Sequence, residues 1–159
     1  MADVHSTATR SFNMSRIRGK NTKPEMKVRS FLHRAGFRYA LHSKTLPGRP
    51  DLVLPRYNCV VFIHGCFWHC HDNCAYFKLP KSNRKFWKDK LGQNKARDIG
   101  AIAKLQQSGW NVIVLWECEL RGENALPALQ NVVKELTSAL KSGPAMKTRR
   151  ILNRKPKKK

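Results

Sequence analysis

A chain of 159 residues, 41% of them apolar, is about one domain and is long enough to bury a core. No apolar run approaches the ~20 residues of a membrane span and the N-terminus lacks the apolar block of a signal peptide, so a soluble cytoplasmic protein is the default expectation. Lys and Arg number 32 against 10 Asp and Glu, a net charge of +22 that points to a polyanion, nucleic acid ahead of a membrane surface, because no basic amphipathic helix or lipidation signal accompanies it.

In chain order, residues 1–23 are polar and basic with few apolar anchors (Phe12, Met14, Ile17) and read as an arm. Thr22-Lys23-Pro24-Glu25 is a helix start: Thr22 caps, Pro24 sits in the first turn, and Glu25 suits the positive end of the dipole. Val28, Phe31, Leu32 and Ala35 form an apolar face, and Gly36 ends the helix. Phe37 to His42 and Asp51 to Leu54 read as strands separated by a Pro-Gly turn. Arg56-Tyr57-Asn58 makes a tight connection to Cys59–Ile63, an unbroken apolar run expected of a strand buried on both faces. A loop covers 64–82. A mostly helical segment spans about 83–107, with a break or bend expected near Gly92. Trp110 to Trp116 is another buried strand, and both tryptophans are assigned to the core. The last helix starts near Asn124 and carries Leu126, Leu129, Val133, Leu136 and Leu140 on its apolar face. Residues 141–159 hold nine Lys or Arg and no acid, and disorder is expected there. The division is an arm (1–23), a folded domain (24–140) and a basic tail (141–159). The order helix, three strands, helix, strand, helix describes a small α/β fold with a mixed central sheet flanked by helices.

The most informative stretch is His64–Cys74, HGCFWHCHDNC. Five cysteines is an odd count, and with no secretory signal metal ligation is a better reading than a disulfide framework. Cys66, His71 and Cys74 on this loop, with Cys118 just past the last strand, would make a closed tetrahedral Cys3His zinc site that pins an irregular loop. The bland alternative, ordinary reduced cysteines, is accepted for Cys59 inside its apolar strand, and Cys70 is a spare. Asp51 opens one strand and His64 ends the next, so a hairpin turning at 56–58 brings them to the same end, with His69 following on the loop. A carboxylate holding Mg2+ beside imidazoles that activate water is a phosphodiesterase arrangement. The competing reading makes Asp51 a turn or cap group and the histidines further zinc ligands. Phe67-Trp68, adjacent and in a polar loop, suit docking into another molecule better than core packing.

PGRPDLV (47–53), VVFIHGCFWH (60–69), NRKFWKDK around Trp87, WEC (116–118) and the N-terminal RSFNMSRIRGKNTKPE resemble the very short patch repair endonucleases. The resemblance runs from about Thr9 to Leu136. It implies a bacterial enzyme with a restriction-endonuclease-like core and a structural zinc site, which uses Mg2+ to nick DNA 5′ to the thymine of a T:G mismatch left by 5-methylcytosine deamination. It further implies a nucleoid-associated monomer working with a cytosine-5 methyltransferase, repair polymerase and ligase. By position, Asp51 corresponds to the Mg2+-binding aspartate and Ile63 to the residue whose carbonyl completes that site. His64 and His69 correspond to the catalytic histidines, and Glu25 to an acid near the active centre. Cys66, His71, Cys74 and Cys118 correspond to the zinc ligands. Phe67, Trp68 and Trp87 match aromatics that insert beside the mismatch, and Met14 an apolar residue of the arm. A T:G wobble is easier to open than T:A, so inserted rings would also discriminate. The alternative is a non-catalytic zinc-stabilised module that grips distorted DNA or structured RNA.

Overall fold

Thr22 begins the first helix in the computed structural model, which describes residues 19–141 together with positions 8, 9, 12, 15 and 16. The Thr22 hydroxyl accepts the Glu25 N–H and Pro24 lies in the first turn of α1 (Lys23–Arg34). This helix buries Val28 and Leu32, and Gly36 turns the chain out of it at φ +88°. Met14 and the tail after Lys141 lie outside the described residues.

The expected strand over 37–42 is shorter: β1 is Ala40–Leu41, both exposed. It lies at the sheet edge, and His42 at φ +48° turns the backbone away from the ladder. β2 (Leu52–Leu54) is wholly buried. A single 3-10 turn, Pro55–Tyr57, leads through Asn58 at φ +47° into β3 (Cys59–His64). α2 runs unbroken over Arg84–Gln107, so the expected break at Gly92 is absent. A side chain at position 92 would meet nothing, so that glycine rides the open face and costs the helix only about 1 kcal/mol of propensity. β4 (Asn111–Trp116) passes through two short 3-10 turns into α3 (Ala125–Lys141).

The sheet order is β1-β2-β3-β4, with the first two pairings antiparallel and β3–β4 parallel. This is the mixed α/β architecture expected. Strand alternation divides the core. Leu52, Leu54, Cys59, Val61, Ile113 and Leu115 face α1 and α3, whereas Val53, Val60 and Phe62 face Leu105 of α2 and Trp110. Each fully buried Val or Leu contributes roughly 1.5–3 kcal/mol by leaving water. The buried stripe of α3 is Ala125, Leu129, Val132 and Leu136, at i, i+4, i+7 and i+11. Leu126 and Leu140, expected on that face, are 54% and 40% exposed, because the stripe is rotated by one position.

Because β3 and β4 are parallel, their C-terminal ends emerge side by side, with His64 opposite Trp116. Everything chemically distinctive lies there.

Candidate active site and metal centre

Two residues beyond each of those strand ends stands a cysteine. Cys66 and Cys118 meet His71 and Cys74, and one donor atom from each of the four lies within 4.8 Å of every other. His71 Nδ1 is 3.3 Å from the Cys118 sulfur. A zinc ion with bonds near 2.0–2.3 Å places neighbouring ligands about 3.5 Å apart, so three thiols and an imidazole fit such an ion in both chemistry and spacing. Burial pushes the Cys118 thiol up to about 12 and raises that of Cys66. At Cys74 burial acts in the same direction, but the backbone N–H groups of Tyr76 and Phe77 and the two neighbouring thiols outweigh it and lower the thiol. Any metal taken up here must displace protons from at least two reluctant thiols. Cys70 stays outside the cluster at φ +51°. Cys59 is the ordinary buried cysteine expected, its thiol pushed up to about 12 by burial.

Trp116 is a correction. It is not core: its ring stacks on His71 at 4.0 Å between centroids and 2° between planes, and stands edge-on to His64 at 5.3 Å. On β4 it follows Val112 and Val114 on the α2 side, at the level where the strand leaves the core and the loop begins.

Asp51, Ile63, His64, His69 and Glu25 line one cavity of about 460 Å³, and Trp68 forms part of its wall. Asp51 Oδ2 accepts the Ile63 N–H at 2.8 Å. Burial raises the Asp51 carboxyl above its ordinary value, with the Ile63 N–H opposing. Such a carboxylate gains most from a bound cation. Gly48 admits this arrangement: at φ +70°, a Cβ there would lie 2.7 Å from that of Ala101 and 3.1 Å from the Phe62 ring.

His64 and His69 stack face to face, 3.9 Å apart and 3° from parallel. Burial pulls His64 down to about 4, with repulsion from His69 adding to it, so His64 is neutral at physiological pH. His69 Nδ1 lies 2.6 Å from Oδ2 of Asp98 on α2. With the Nδ1 proton donated to that carboxylate, Nε2 is left as an acceptor. Asp98 escapes sequence reasoning, although a signal exists. Leu91, Asn94, Asp98 and Leu105 fall on one face of a predominantly basic helix, and Asn94 Nδ2 donates to the Trp68 carbonyl from the same face.

Glu25 is a keystone of the entry to α1. Its Oε2 accepts the Asn21 N–H at 2.9 Å and Arg29 at 2.8 Å, and its Oε1 accepts the Thr22 hydroxyl at 2.9 Å. Arg29 and His42, neither marked by the sequence, gather beside it: Arg29 reaches both Glu25 and His42, and their charges act on Asp51. Glu25, His42 and Asp51 form an oxygen-rich donor group suited to a hard cation.

Phe67, Trp68 and Trp87 are half-buried and touch one another, with centroids 5.1 to 6.0 Å apart: Phe67 stands edge-on to both tryptophans, which are tilted against each other. Phe86 extends the cluster and is 56% exposed. Lys90 Nζ lies within 6.0 Å of the Trp68, Phe86 and Trp87 ring centres. An aromatic ledge rimmed by a cation beside the cavity matches unpaired bases and phosphate alike.

A cation-ready carboxylate, an oriented imidazole and an aromatic ledge on a basic surface together describe a phosphodiester-cleaving enzyme. A family model described as DNA mismatch endonuclease Vsr matches residues 2–75. The DNA mismatch endonuclease Vsr of Escherichia coli strain K12 is 47% identical over 126 residues, 79% of this chain and 80% of that protein. The type II nicking enzyme V.XorIIP of Xanthomonas oryzae pv. oryzae is 47% identical over 134 residues, covering 84% of this chain and 98% of its own. V.NmeAIP of Neisseria meningitidis serogroup A, another type II nicking enzyme, is 45% identical over 141 residues, 88% and 100% of the two chains. The chain therefore belongs to the Vsr family of DNA mismatch endonucleases and is a nuclease, which sets aside the non-catalytic module. Among the described residues no helix is long and apolar enough to cross a membrane.

Proposed function

We propose that this enzyme nicks one strand of duplex DNA 5′ to the thymine of a T:G mismatch left by 5-methylcytosine deamination and so initiates very short patch repair. The core is restriction-endonuclease-like, and the cytoplasmic, nucleoid-associated protein acts as a monomer. A cytosine-5 methyltransferase creates the need, and polymerase and ligase complete the repair. The observation that carries this reading is the convergence of Asp51, His64 and His69 on one cavity walled by Trp68. The nicking-enzyme names of two relatives support single-strand cutting.

In this reading Asp51 and the Ile63 carbonyl hold Mg2+, and the ion, when bound, supplies positive charge to the scissile phosphate. His69, oriented by Asp98, takes a proton at Nε2 from the attacking water, which bonds to phosphorus while the 3′ oxygen of the preceding nucleotide leaves and is protonated from solvent. Neutral His64 supports the His69 ring by stacking. Zinc on Cys66, His71, Cys74 and Cys118 fixes the loop that presents Phe67 and Trp68. These rings, with Trp87 and with Met14 from the arm, enter the base stack at the weak pair, where unstacking costs least. Residues 1–23 serve as the DNA-contacting arm, 24–140 as the endonuclease domain and 141–159 as a basic tail. Their Lys and Arg neutralise phosphates, so binding weakens steeply with salt.

The test is nicking of a T:G duplex against its T:A counterpart, with Mg2+. The mismatch is cut on the thymine strand and the matched duplex spared, and Asp51→Ala binds without cutting. Equal cutting of both duplexes across sequence contexts would sink the mismatch reading.

A further inference from the structure

Glu25, His42 and Asp51 place donor atoms within 4.8 Å of one another, which on spacing alone is a three-donor cation site. Arg29 already occupies part of it. One guanidinium nitrogen lies 2.8 Å from Glu25 Oε2 and 2.9 Å from His42 Nε2, and the other lies 2.6 Å from Asn21 Oδ1. The residue is buried, and its Nε is the one buried side-chain nitrogen or oxygen without a hydrogen-bond partner among the described residues. A guanidinium is a permanent positive charge, and this one is buried and held by Glu25, His42 and Asn21, with the Met26 sulfur 3.7 Å away.

Its contacts use up the groups a second ion would need. The N–H aimed at His42 Nε2 takes the lone pair that would bind a metal. Glu25 receives an Arg29 N–H and the Asn21 N–H on one oxygen and the Thr22 hydroxyl on the other. Asp51 receives the Ile63 N–H at Oδ2, which leaves Oδ1 for an exchangeable ion. We propose that Arg29 is a built-in cation that fills the Glu25–His42 half of this cluster, so that Asp51 holds a single exchangeable divalent ion. This rests on reading Asp51 as the cation-binding carboxylate. Arg29 is a positioning residue, because it acts through Glu25 and His42.

The experiment counts Mn2+ bound by the full chain without DNA, from the loss of the free-ion electron paramagnetic resonance signal. The wild type binds one Mn2+ and Asp51→Asn none. Arg29→Lys, which keeps the charge, stays at one. Arg29→Met rises to two and returns to one when combined with His42→Gln. Should Arg29→Met not fold, pulsed spectra of the wild type decide: His42→Gln leaves the nitrogen modulation of the bound Mn2+ unchanged, because that imidazole is engaged by Arg29. A second ion on the wild type, a single ion on folded Arg29→Met, or a spectrum altered by His42→Gln overturns the proposal and leaves the metal-dependent nuclease reading intact. No Mn2+ on the wild type overturns both.

Discussion

Replacing Asp98 by Asn tests the imidazole pair most directly, because the two side chains have the same shape. In the wild type a carboxylate oxygen 2.6 Å from Nδ1 fixes which His69 nitrogen carries the proton and stabilises the ring once it has gained a second. Both side chains are between a quarter and a third exposed, so the charged hydrogen bond belongs to the ordinary range, roughly 1.5–3 kcal/mol. At about 1.4 kcal/mol per factor of ten, that predicts a fall of some 10- to 150-fold in the cleavage step. If the amide turns its NH2 towards Nδ1, the proton is forced onto Nε2, no acceptor faces the cavity, and the loss approaches 10³–10⁴-fold. The assay is single-turnover nicking of a T:G duplex at saturating enzyme, with binding measured separately by fluorescence anisotropy. Affinity should stay within about threefold, since Asp98 contributes no cation to phosphate binding. A cleavage rate within twofold of wild type would show that His69 does not depend on Asp98 for its orientation, and the assignment of the proton acceptor would fail with it.

Two further predictions follow from the strand ends. Cys118→Ala, or chelation of the wild type, should cost several kcal/mol in denaturant titration and release one zinc per chain, because the loop it ties down has otherwise only short local backbone bonds and a few partly exposed side-chain bonds to α2. Unchanged stability, or no metal found, would contradict the clip. Because His64 titrates at about 4 when folded and near 6.5 when unfolded, the unfolded chain binds the extra proton between those values. Stability conferred by neutral His64 is therefore complete above pH 6.5 and lost as pH falls towards 4, by up to about 3 kcal/mol, and His64→Gln should flatten that slope in urea titrations. Identical slopes for the two proteins would refute it.

Much of this was legible because local chemistry and burial agreed. The Thr22 cap with Pro24, and the uninterrupted apolar run of β3, each specify one element and no other. Asp51 and His64 were brought together by counting outward from a turn, and turns fix hairpin register. What escaped depends on packing between distant segments. Asp98 reads locally as one more solvated charge on a helix of lysines and arginines, and only the seating of α2 against the loop turns it towards His69. Arg29 and His42 were invisible for the same reason: one belongs to a helix face and the other to a left-handed turn, and they meet only when β1 folds back beside α1. Trp116 was misassigned because an apolar strand residue is usually core, and alternation cannot say where the covering helix stops. The break expected at Gly92 failed because propensity is a weak prior inside a helix anchored at Leu91 and Leu105.

The pairing of His64 with Trp116 restricts where this chain tolerates a change in length. Cys66 and Cys118 leave neighbouring strands at the same height, and one added or deleted residue before either would swing its sulfur to the opposite side of the sheet. An added residue past Cys74 or beyond the turn at Gly122 meets no such restriction, because the backbone there answers to no ladder. A change of length in those outer stretches therefore leaves the spacing of the two sulfurs, and the hub they build, as it is.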